Sequence, residues 1–174
     1  MRRLLIGSLL LAACTFPLQA QRRGVTPPLS PAVIKAQVDE FVTTVRDMAA
    51  WSVVTAAAHT PVGGIQDTTG NVESVVASQD IRPVPDSVLV AFRHALGTAA
   101  RRNKSRAIGL AYLVRRPLPG KSDVVDAVLV EVEHRSGFSA DVLCPYTRNE
   151  FGEPVFGTTY RQAGTLRELI AKRR

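Results

Sequence analysis

Residues 126–146 read DAVLVEVEHRSGFSADVLCPY, and the way this stretch pairs with itself decides the fold. Apolar and polar residues alternate on both sides of Arg135-Ser136-Gly137. Side chains along a strand point to opposite faces in turn, so a one-residue slip in pairing carries a whole apolar set to the wrong side. A three-residue loop at 135–137, with Gly137 in the left-handed conformation such loops need, sets His134 opposite Phe138. Val132 then opposes Ala140, Val130 opposes Val142 and Val128 opposes Cys144, which makes one face apolar. The other face pairs Glu133 with Ser139, Glu131 with Asp141 and Leu129 with Leu143. A two-residue loop mixes acids and valines on both faces. The three-residue register is the one expected.

That register bears directly on chemistry. Cys144 and His134 share a face but stand roughly 20 Å apart along strands rising about 3.3 Å per residue, too far for a thiolate–imidazole dyad. Cys144 reads as a small core residue, and His134 as a core-edge residue near the hairpin tip. Glu131 facing Asp141, with Glu133 beside them, is a like-charge cluster that needs an offsetting partner. Arg115, Arg116 or Arg148 supplying it as salt bridges is the first expectation, a bound cation or basic ligand the second, and a general acid/base pair the third. The trio is expected on the solvent side of the sheet, so that Glu131→Gln leaves stability unchanged or slightly raised. Glu131, Glu133, Asp141 and Arg115 form the candidate ligand or partner face. Ala107, Gly109 and Ala111 are expected to turn outward beside Leu129 and Leu143 as its shallow floor. No catalytic residue and no metal or cofactor ligand set is assigned.

Working outward, 107–114 alternates as a strand ahead of this hairpin, and Val155–Tyr160 reads as a short fourth strand. Gly120-Lys121-Ser122 imitates the end of a phosphate-binding loop. The upstream glycine it requires falls on Arg115, and the segment leads into a strand, so PLPGKSD is a turn. Ser30 and Pro31 open a helix whose Val38, Val42, Val45 and Ala49 recur at helical spacing and which can run to His59 before Thr60-Pro61. A break near Trp51, with Trp51–Thr55 as a strand, is the alternative. Residues 61–85 read mostly as turns with a weak apolar patch at Val72–Ala77. Asp86 begins a second helix with Leu89, Phe92, Leu96 and Ala99 on its buried line, and His94 lies off that line. Thr165-Leu166-Arg167-Glu168 has capping-box spacing for a short C-terminal helix. The expected architecture is α+β: a long N-terminal helix and a second helix on one face of a three- to four-stranded antiparallel meander, closed by that short helix.

The first residues, MRRLLIGSLLLAACTFPLQA, place two arginines before an apolar run and end on a small residue, the pattern of a signal peptide over 1–20. The run is too short to span a bilayer, and no later segment offers a transmembrane helix. Cleavage after Ala20 and lipidation at Cys14, within LAAC, stand side by side as readings. Both mean export, to the periplasm, outside the cell or onto an envelope membrane. Residues 21–29, QRRGVTPPL, form a tether, and 30–174 a single domain. With Cys14 removed or lipidated, Cys144 has no partner for an internal disulfide.

Loss of the leader lowers the formal charge of +7 by two. In an exported protein the remaining basic excess, concentrated at Arg101–Arg106 and Lys172–Arg174, serves solubility first and an anionic membrane surface second; nucleic acid is not an expected partner. The function expected is a small non-enzymatic binding or interaction module of the cell envelope, taking a protein or small ligand. The alternative is a small hydrolase using the carboxylate cluster.

Overall fold

The computed structural model describes residues 29–55, 60–76, 86–166 and 170. The expected signal peptide at 1–20 and Cys14 lie outside these residues, as do residues 21–28 of the tether. Helix α1 spans Pro31–Thr55 and α2 spans Asp86–Arg102. The strands are β1 (Val62–Gln66), β2 (Val72–Val76), β3 (Ala107–Pro117), β4 (Val124–His134), β5 (Ser139–Arg148), β6 (Pro154–Phe156) and β7 (Tyr160–Ala163). All join one antiparallel sheet in the order β2-β1-β3-β4-β5-β6, with β7 also paired to β5. The class is α+β. No helix among the described residues is long and apolar enough to cross a membrane.

The central hairpin has the expected register. Val128 pairs with Cys144, Val130 with Val142, Glu131 with Asp141 and Val132 with Ala140. His134 N donates to Phe138 O at 2.8 Å, and Gly137 sits at φ 89°, as the three-residue loop requires. The valine face, together with Ala107, Ala111 and Cys144, packs on Val38, Phe41, Val42, Val45 and Ala49 of α1. Burial pushes the Cys144 thiol up to about 11, the condition of an inert core cysteine.

Three expectations are corrected. Among the described residues the sheet has seven strands, two of them from a hairpin at 62–76 where turns were expected. Its turn is organised by Asp67, whose Oδ1 accepts from Thr69 N and Gly70 N at 2.8 Å each and from Asn71 N at 3.0 Å. The glycines that made β1 look like a turn serve packing instead. A Cβ on Gly63 would lie 2.6 Å from Leu96 of α2, and one on Gly64 would lie 2.6 Å from Val45 of α1. The two helices therefore close on β1 from opposite sides. This is the second correction: α1 and α2 do not share a face.

The third correction concerns the ends of the chain. Thr165 heads no helix among the described residues. Its N–H and hydroxyl are given to Asp141 Oδ1, at 2.9 and 3.2 Å, and residues 167–169 and 171–174, on which the rest of the expected helix falls, lie outside the described residues. The fourth expected strand is two, β6 and β7, sharing the outer edge of β5. Residues 51–55 are helical, not a strand, and residues 56–59 of the expected helix lie outside the described residues.

Candidate functional site

Gly109 pairs with Val132, and Ala111 with Val130, so the small residues of β3 belong to the α1 face. They are not the outward floor expected from the sequence. A Cβ on Gly109 would stand 3.0 Å from Phe41, which explains why this row is small: it receives the Phe41 ring. Ile108, Leu110 and Tyr112 instead share the face of Glu133, Glu131 and Leu129. That face is not open to solvent. Leu89, Leu96 and Ala100 of α2, with Leu166 and Ile170, cover Ile65, Ile108 and Leu110.

The acidic trio is consequently buried, with Glu131 and Glu133 each 1% exposed and Asp141 2%. Each carboxylate is met by the layer above it. Arg93 of α2 reaches down to Glu131 with Nε at 2.7 Å from Oε2 and Nη2 at 2.5 Å from Oε1. This forked contact satisfies both carboxylate oxygens with charged donors. Tyr112 Oη adds a third bond to Oε1 at 2.7 Å. Burial first, and the neighbouring Glu131 second, push the Tyr112 hydroxyl well above its ordinary pKa. Asp141 is used by Thr165, and Glu133 Oε1 lies 3.4 Å from Ile170 N.

The expected partners are elsewhere. Arg115 stands 3.9 Å from Asp126 with both side chains mostly in water, and Arg148 donates to Gly152 O at 2.9 Å. Arg116 borders a cavity beside Asp141 and Tyr160 of about 30 Å³, room for about one water molecule and for no substrate. The structure thus brings Glu131, Glu133 and Asp141 together with Arg93, a residue the sequence reading passed over. Its signal was present: Arg93 falls four residues after Leu89 and three before Leu96, on the line that packs against the sheet. A cation on an apolar line asks for a buried acid, and the acidic face of β4 offered one.

The open concavities lie elsewhere. One, of about 650 Å³, runs between the second half of α1 and the β1–β2 hairpin. Met48, Trp51, Val62 and Val76 give it an apolar lining, edged by Asp47 and Ser74. Trp51 is 69% exposed and Val76 57%, and the two line the same groove. Their neighbour β2 is an edge strand of the sheet among the described residues, and Ser74 and Val76 turn to the α1 side with Gly64 and Val62.

Comparison with protein-family models, with curated proteins and with solved structures returned no match.

Proposed function

We propose that this chain is an exported, non-enzymatic binding module of the cell envelope, and that its working surface is the groove between α1 and the β1–β2 hairpin. The carrying observation is the coincidence of an apolar groove of about 650 Å³ with an exposed tryptophan and an edge strand of the sheet. An extended apolar segment of an envelope partner fits such a site. It can continue the sheet at β2 while its side chains enter the groove. The hydrolase reading has less support, because Glu131 is held by Arg93 and Tyr112 and lies beneath α2.

Trp51 is the only tryptophan, so the groove carries its own reporter. The neutral apolar dye N-phenyl-1-naphthylamine is expected to bind saturably at one site and to quench Trp51 emission by energy transfer. Val76→Ser and Met48→Ser, each removing apolar contact, are expected to weaken it by about fivefold or more. Dye binding that leaves Trp51 emission unchanged, or that ignores both substitutions, rejects the groove as the binding surface.

Export is part of the same proposal, with residues 1–20 as leader. The intact mass of protein recovered from an expressing bacterium is expected to match a chain starting at Gln21. A mass for a chain starting at an acylated Cys14 selects the lipid-anchored form, and retention of residues 1–20 removes the export reading.

A further inference from the structure

The far end of the sheet from Trp51 carries a second groove, of about 510 Å³, lined by Leu29, Ile34, Thr68, Arg106, His134, Arg135 and Ser136. Its wall is built by four separate pieces of chain. The start of α1 gives Leu29 and Ile34, the β1–β2 turn gives Thr68, the entry to β3 gives Arg106, and the β4–β5 hairpin gives the rest. Arg106 donates to Thr68 O, and Arg135 Nη1 to Lys104 O at 3.0 Å. Each guanidinium has five donors in a fixed fork, so these contacts hold the arginines while leaving donors to offer. Among the described residues, no carboxylate lines the groove.

His134 makes this more than a basic surface patch. It is 3% exposed, and its Nδ1 accepts the backbone N–H of Ser136 at 3.2 Å, with the Ser136 hydroxyl, 2.9 Å away, turned to the same nitrogen as a second donor. An imidazole that accepts at Nδ1 carries its proton at Nε2 when neutral. Burial, and then the charge of Arg106, hold its pKa below the usual histidine value, which keeps the ring neutral. The Nε2–H donor has no hydrogen-bond partner among the described residues. A buried donor without an acceptor is uncommon in a folded protein. Two cations and an unanswered N–H, beside two apolar side chains, describe the complement of an anion with an apolar body.

We propose that this groove binds a small amphipathic carboxylate, its head held by Arg106 and Arg135 at the His134 end and its chain lying on Leu29 and Ile34. The acceptor that Nε2–H lacks is then a carboxylate oxygen, and binding has to uncover this buried nitrogen by moving the imidazole. The site is distinct from the Trp51 groove and stands whether or not that groove binds a partner.

Octanoate is the probe, titrated into the full chain by calorimetry, with octylammonium and inorganic phosphate in parallel. Octanoate is expected to bind at one site, octylammonium not to bind, and phosphate to bind much more weakly because it leaves Leu29 and Ile34 uncovered. In the double variant Arg106→Gln/Arg135→Gln, octanoate affinity is expected to fall by about thirtyfold or more. The melting temperature of that variant is measured alongside to show that it is folded, and Arg135→Gln alone, on the exposed loop, serves if it is not. The His134 side-chain nitrogen resonances are expected to shift on binding while Trp51 emission stays constant. Octanoate binding that survives loss of the arginines, is matched by octylammonium, is matched by phosphate, or moves Trp51 instead of His134 overturns the proposal, as does failure of octanoate to bind.

Discussion

Val130→Asp is expected to leave the chain unfolded at room temperature. Val130 is fully buried in the layer where β3, β4 and β5 meet Phe41, Val42 and Val45 of α1. Its cross-strand neighbours are Ala111 and Val142, both apolar, so a carboxylate there meets no donor on its own sheet face. A buried, unpaired charge costs several kcal/mol, against a total stability of about 5–15 kcal/mol for an ordinary domain. The far-ultraviolet circular dichroism of the variant should lose its sheet and helix signal, and no cooperative thermal transition should remain. Val130→Ala at the same position is the control, since it removes about two methyl groups without adding charge. It should melt cooperatively at a lower temperature. A folded, cooperatively melting Val130→Asp protein would mean that α1 does not seal this face.

Arg93→Met is expected to destabilise by about 3–5 kcal/mol, because it strands the Glu131 charge beneath α2. For a chain of this size that is a fall in melting temperature of roughly 10 °C or more. Met fills the volume of the arginine stem, so lost packing is a minor part of the effect. Glu131→Gln is expected to be destabilising as well, reversing the expectation from sequence. Relief of Glu131–Asp141 repulsion matters less than loss of a forked, charge-assisted contact with Arg93. The decisive variant replaces the whole group: Arg93→Met/Glu131→Leu/Tyr112→Phe removes the charge pair and the hydroxyl bonded to it. Since desolvating two charges offsets much of their attraction, this triple variant should recover most of the stability lost in Arg93→Met. Equal stability of wild type and Arg93→Met, by chemical denaturation, would show that the pair is a surface contact and that α2 does not lie over the acidic face.

The same ion pair marks the boundary between what could be read in the chain and what could not. The 126–146 stretch determined its own pairing. Alternation with period two and a glycine at the third loop position are local properties, and only one register keeps valines and acids apart. The helix of α1 was likewise legible from Ser30-Pro31 and the recurring valines. The rejected phosphate-loop imitation at 118–123 is a turn between β3 and β4, with Lys121 N donating to Leu118 O and Gly120 at φ 74°.

What the sequence could not reveal was what covers each face. Periodicity tells which residues point the same way, but it does not say whether water or another layer meets them. An acidic face reads as a solvent face unless its partner is known, and Arg93 lies 38 residues from Glu131. The β1–β2 hairpin was hidden for a related reason. Gly63 and Gly64 weaken any local strand signal, and their use appears only when Leu96 and Val45 close on them from opposite sides. Local sequence determined how β4 and β5 pair, since that register is set by alternation in the two strands and by the chemistry of the turn between them. Burial of the acids and the placing of both grooves were decided by tertiary structure, because they depend on where two helices distant in the chain come to rest on the sheet.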